Sequence, residues 1–262
     1  MIDQEKIIAL FEKHWTKLPS DMKKTILNFF AVMPNPGISP FEAFLLYTFV
    51  LENKPTTLFE MGTREGAITM TLAFAQRELD RKTGYISTEI NNYHLSKTKS
   101  RLDNAGLSDY VDIQLGDGIK IAPQGVDMCV IDANHNYEFA TMYINGLYPK
   151  CSDGCLCFAH DHIPYTSTQY NNDGQINLPL DIKATPLNHE QRAVKEFLLR
   201  TGTPYSFLQA ITGGVKTPLN EELLSIIDKI TGQNIFGHPN HKMGNRLNIP
   251  QSILYRLTGE IK

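Results

Sequence analysis

Beyond residue 56 the chain alternates two hydrophobic rhythms. Short apolar runs each end in a polar residue, and between them lie longer segments whose apolar positions recur every three to four residues. The runs read as buried strands and the longer segments as helices with one apolar face. Strands are predicted at Thr57–Glu60, Gly84–Thr88, Tyr110–Leu115, Val126–Ile131 and Cys155–Ala159, with final strands at Tyr205–Ile211 and Gly213–Lys216. Helices are predicted at Glu65–Arg81, from just past Glu89 to near Gly106, at Tyr137–Tyr148 and at His189–Arg200. Repeated strand–helix units imply an α/β fold, a doubly wound, mostly parallel seven-stranded Rossmann-like sheet.

The flanks follow other patterns. Residues 4–18 place Ile7, Ile8, Phe11, Trp15 and Leu18 on one helical stripe, and Ser20 is a cap for a second helix. The run MPNPGISP then breaks the periodicity, and Ser39-Pro40-Phe41-Glu42 forms a capping box for a third helix, Pro40–Glu52. These N-terminal helices (1–54) read as a cover or a dimerisation element, which leaves a homo-oligomer open. The catalytic unit spans 55–217, interrupted at 162–188 by an Asn/Asp/Gly/Pro-rich insertion that reads as a covering loop or a surface excursion. A C-terminal extension, 218–262, is expected to form a helical tail with a helix at Glu221–Ile230.

Ligands of a parallel sheet bind beyond the carboxyl ends of its strands. Those ends carry Glu60, Glu89, Asp117, Asp132 and the pair His160-Asp161, so an acid stands at five successive strand exits. The first exit continues as Gly62-Thr63-x2-Gly66. Its glycines let a strand reverse into a helix and let a ligand approach bare backbone. The spacing E-x-G-x3-G departs from the G-x-G-x-x-G of dinucleotide sites, and a carboxylate suits an ammonium group and hydroxyls better than a pyrophosphate.

Composition narrows the field. The 25 Lys and Arg against 28 Asp and Glu give a net charge of −3, so no basic field marks the chain for nucleic acid. The start MIDQEK has no signal-peptide pattern and no stretch has the length of a membrane span, so a cytoplasmic protein with no membrane partner is expected. Cys129, Cys155 and Cys157 lie in strand-like runs and read as small hydrophobes; with Cys151 they make only a C-x3-C-x-C match to a zinc pattern.

The ordered runs LFEMGTREGAIT, YISTEI, LGDGI, VDMCVIDANHNYE and CLCFAHDH resemble the class I S-adenosylmethionine-dependent methyltransferases. More narrowly they resemble the small-molecule O-methyltransferase branch that includes cephalosporin-hydroxylase-like and sugar enzymes. The resemblance covers roughly Ser39 to Lys216. It implies that Glu60, Gly62, Thr63 and Gly66 line the methionine end of the cofactor. Glu89 would then take the ribose hydroxyls, Asp117 and Gly118 would meet the adenine, and Asp132 would border both cofactor and acceptor. The branch often holds a divalent metal with carboxylates from the last two exits, which implies Mg²⁺ at Asp132, His160 and Asp161. This chain departs from that pattern with His160 in place of an acid and with Asn134.

Methyl transfer to a hydroxyl of a small molecule, a sugar or secondary metabolite, needs in-line positioning and removal of the hydroxyl proton. His135 and His160 are the base candidates, oriented by Asp132 or Asp161. Two other readings use the same residues: an NAD-type oxidoreductase on this fold, and a non-catalytic nucleoside-binding module.

Overall fold

Residues 13, 14, 17, 38, 40–160, 190–203, 205–207 and 253–256 are described by the computed structural model. Helix α1 (Pro40–Asn53) precedes β1 (Leu58–Met61), α2 (Ala67–Glu78), β2 (Tyr85–Glu89), α3 (Asn92–Asn104) and β3 (Asp112–Leu115). There follow α4 (Gly118–Ile121), β4 (Val126–Ile131), α5 (Tyr137–Gly146), β5 (Cys151–Ala159), α6 (Glu190–Thr201), β6 (Tyr205–Phe207) and β7 (Ile253–Arg256). The sheet order is β3-β2-β1-β4-β5-β7-β6, and the first five strands are parallel.

Side-chain alternation along these strands splits the interior into two layers. Leu58, Met128, Val130, Leu156 and Phe158 pack with α1 and α2. Phe59, Met61, Cys129, Ile131, Cys157 and Ala159 face the other way, onto α5 and α6. This is the doubly wound arrangement that strands apolar on both faces require. Helix α2 is buried all round from Ala67 to Gln76, because α1 lies over the side that the sheet does not cover. Tyr148 stacks between Tyr143 and Phe197, with ring centroids 5.5 and 5.2 Å apart, and so locks α5 against α6.

Most predicted elements fall within two or three residues of the observed ones. Two details differ. Strand β5 begins four residues earlier than expected, at Cys151, with Gly154 in a left-handed turn (φ 78°). The C-terminal segment contributes β7, inserted between β5 and β6 and antiparallel to both, which corrects the expectation of a purely helical extension outside the sheet. The run ILYR is too short to announce such pairing, since its partners β5 and β6 lie roughly a hundred and roughly fifty residues away along the chain. The helices expected over 4–18 (Lys13, His14 and Lys17 apart) and from Ser20, the insertion at 162–188, the strand at 213–216 and the helix at 221–230 lie outside the described residues. Among the described residues, no helix is long and apolar enough to cross a membrane.

Phe158 is fully buried at the centre of the α1–α2 layer. Phe158→Ala is expected to cost about 3–5 kcal/mol in urea unfolding, with an unchanged far-UV circular dichroism spectrum.

Candidate active site

Parallel register brings the strand exits into one row. Met61 is level with Thr88 on one side and Ile131 on the other, and Ile131 is level with Ala159. The ladder extends one residue beyond each strand: Gly62 N donates to Thr88 O and Asp132 N to Met61 O, both at 2.9 Å. His160 N donates to Ile131 O, also at 2.9 Å. Gly62, Glu89, Asp132 and His160 are therefore neighbours along one rim.

At Gly62 the backbone has φ 98°, and a Cβ would lie 2.0 Å from the carbonyl oxygen of Asp132. Only glycine lets β1 turn there while β4 passes so close. Gly66, at φ 85°, caps α2, and a Cβ on it would press on Thr98 of α3. Between these glycines Arg64 also adopts a left-handed conformation, φ 45°. Glu89 holds it there: Oε2 accepts from Arg64 N (2.8 Å) and Thr63 Oγ1 (3.1 Å), while Oε1 accepts from Asn91 N (2.9 Å). A carboxylate offers about four acceptor positions, so a bound hydroxyl can still be received. Ile90, the next residue, is 80% exposed, an uncovered apolar surface beside that carboxylate.

Glu60 differs from the expectation that it lines the ligand side. It points into the layer beneath α2 and has no exposed surface. Its Oε1 accepts from Thr69 Oγ1 (3.1 Å), and its Oε2 accepts from the Tyr85 hydroxyl (2.6 Å) and Ser87 Oγ (2.5 Å). Glu60 and Leu58 are two apart on β1 and face the same side, so strand parity rather than the turn decides where the carboxylate goes. Burial pushes its pKa up to about 7, against the lowering effect of the three hydroxyls.

Asp117 caps α4, accepting from Ile119 N at 3.0 Å, and lies over Lys120. Gly118 is buried against β1 and β2, where a Cβ would fall 2.7 Å from both Met61 Cγ and Thr88 Oγ1. That contact is a second reason for glycine at this exit.

The other half of the rim is a chain of ionisable groups. His160, almost wholly buried, lies with Nδ1 3.2 Å from Asp132 Oδ1. Burial raises the Asp132 pKa, but the His160 imidazole, then His135 and Arg64, pull it below the ordinary carboxylate value. An ionised Asp132 can only accept, so His160 Nδ1 carries the proton. His135 Nε2 stands 3.8 Å from the same oxygen, and its Nδ1 lies 2.9 Å from Glu190 Oε2. Glu190 is 1% exposed; its other oxygen accepts from the Tyr143 hydroxyl at 2.7 Å, and its backbone N donates to the carbonyl of His135. Asp161, the remaining predicted ligand, lies outside the described residues.

Glu190, Tyr143 and the hydroxyls around Glu60 were not anticipated. Glu190 reads in sequence as an ordinary acid in the first turn of a helix. Only the packing of α6 on α5 brings it to His135, 55 residues earlier.

Residues 59–162 match the sequence model of a family described as a methyltransferase domain. No curated protein matches the chain. Among solved structures, an O-methyltransferase from Bacillus cereus in complex with SAH superposes with a TM-score of 0.53 at 15% identity, covering 92% of this chain and 93% of its own. The O-methyltransferase TomG from Streptomyces achromogenes, involved in tomaymycin synthesis and solved with SAM, gives 0.53 at 15% identity over 99% and 100% of the two chains.

The buried acid yields a pH prediction. Because the folded-state pKa of Glu60 lies above its ordinary 4.5, its contribution to stability is present below that value and is lost as pH rises through about 7. The loss is about 3 kcal/mol at ~1.4 kcal/mol per pH unit. In urea titrations across this window, Glu60→Gln is expected to show a shallower fall in stability than the unsubstituted protein. With its turn, its parallel order and its acid at the second exit all in place, the chain shares the fold of these O-methyltransferases, and its residues 59–162 match a methyltransferase-domain family.

Proposed function

We propose that the protein moves a methyl group from S-adenosylmethionine to a hydroxyl of a small molecule, with His135 as the base. The observation that carries this reading is the single rim on which a glycine turn held by Glu89 adjoins a histidine backed by a buried carboxylate. The cofactor would lie across the Gly62–Gly66 turn, with a ribose hydroxyl on the remaining acceptor position of Glu89. Its base would lie along Ile90, Asp117 and Gly118. Bound there, it supplies an electrophilic methyl group with a neutral thioether as leaving group. Glu60 supports this turn from beneath and touches no ligand.

The residues of the acceptor side then have two tasks: to hold the hydroxyl in line and to take its proton. Glu190 accepts from Nδ1 of His135 and thereby leaves Nε2 as the basic nitrogen. The charge that appears on the ring is met by Glu190 on one side and Asp132 on the other. His160 is far less exposed than His135 and is tied to Asp132, so it serves as a positioning residue.

The described residues do not make a magnesium site. Mg²⁺ asks for hard oxygen ligands in octahedral geometry. Here a single carboxylate, Asp132, is engaged by His160 and flanked by His135 and Arg64.

Calorimetry with S-adenosylhomocysteine is expected to show binding, weakened at least tenfold in Glu89→Ala; no heat with the unsubstituted protein would overturn the reading. In a transfer assay over a panel of hydroxylated acceptors, His135→Ala is expected to lower kcat by about 10²–10⁴. Glu190→Gln should lower kcat and alter its pH profile, with unchanged S-adenosylhomocysteine affinity. Activity is expected to persist in EDTA; a loss restored by Mg²⁺ would instead bring Asp161 and a metal into the site.

A further inference from the structure

Three of the chain's four cysteines converge away from the strand exits, and the fourth, Cys151, begins the strand that carries two of them. Cys129 of β4 and Cys157 of β5 are register partners, and their sulfurs lie 3.1 Å apart. Cys155 shares the face of Cys157, and the sulfurs of Cys129, Cys155 and Cys157 all lie within 4.8 Å of one another. Cys151 belongs to the start of β5, level with Val126, where a register irregularity inserts extra residues around Gly154. Its thiol donates to the carbonyl oxygen of Leu147 at 3.6 Å. Three of the four are fully buried, Cys151 is partly exposed, and none is in a disulfide.

Packing alone does not ask for this arrangement. Valine or alanine suits such strand positions, and nothing in a hydrophobic layer favours bringing three thiols together. The structure assigns Cys129, Cys151, Cys155 and Cys157 to a tetrahedral thiolate site for a soft divalent metal, with zinc the best fit. Zn–S bonds of about 2.3 Å place tetrahedral sulfurs about 3.8 Å apart, near the spacing of the three clustered sulfurs, and Cys151, released from the carbonyl of Leu147, would supply the fourth corner. A fully occupied tetrahedron leaves no open position, so the metal would pin β4 to β5 beneath the acceptor side and take no part in transfer.

Loading releases four protons, one per thiol, and forms four metal–sulfur bonds; two negative charges remain on the site. Lys150, adjacent to Cys151, carries a positive charge held on the carbonyls of Ile119 and Ala122.

The test uses the full chain without a histidine tag, reduced and loaded anaerobically with Co²⁺. The expected result is one cobalt per chain, with the intense visible bands and sulfur-to-cobalt charge transfer of a tetrathiolate, bleached by equimolar Zn²⁺. Cys151→Ser, at the exposed corner of the cluster, should keep the fold by circular dichroism, shift these bands and weaken cobalt affinity at least tenfold. Asp132→Asn should retain the bands, which separates this site from any metal at the strand exits. Weak octahedral spectra overturn the proposal, as do thiols that react with Ellman's reagent at the same rate with and without Zn²⁺. A Cys129–Cys157 disulfide in protein that takes up no cobalt after reduction overturns it too. None of these readouts depends on methyl transfer.

Discussion

The site rests on one close approach: the backbone of β1 turns at Gly62 directly against the carbonyl of Asp132, with no room for a Cβ. That contact sets the relative height of β1 and β4, and parallel hydrogen bonding passes the setting to β2 and β5. Every group on the rim depends on it. A shift of one residue between β1 and β4 would reverse which side chains face α2 and which face α5. Glu60 would then leave its three hydroxyls, and the row from Glu89 to His160 would lose its common line.

Acids at successive strand exits take different roles because burial and partners differ. Glu60 sits wholly inside, satisfied by Thr69, Tyr85 and Ser87, and its pKa rises because no cation offsets the loss of water. Glu89 is buried beside the turn and fixes Thr63 and Arg64 with direct hydrogen bonds. Asp132 is partly buried, and the imidazoles beside it outweigh desolvation and keep it ionised. The same carboxyl group, on glutamate or aspartate, thus provides a buried support, a turn clamp and a charged partner.

The acceptor side shows how the two layers of helices contribute unequally. The α1–α2 layer is largely apolar, with the Glu60 cluster, Thr48, Thr71 and Gln76 buried among its hydrophobic side chains. The α5–α6 layer carries Tyr143 and Glu190 to the rim, within hydrogen-bonding reach of His135. Rigid packing of Tyr148 on Phe197 holds that carboxylate in place, as a group that orients an imidazole must be held.

The sequence by itself determined the alternation of strands and helices, the glycine turn and the residues at each strand exit. These are local signals: apolar runs, spaced apolar positions and glycines at tight turns. It also singled out His135, His160 and Asp132, which stand together on the rim. Only the tertiary structure decided which way each acid points, since strand parity sends Glu60 under α2 while Glu89 stays at the turn. Long-range packing alone joined Glu190 to His135, brought Cys129 to Cys155 and Cys157 and placed β7 between β5 and β6. Contacts between residues so far apart leave no periodic trace in a single chain, because each partner is locally an ordinary helix acid, strand cysteine or short apolar run.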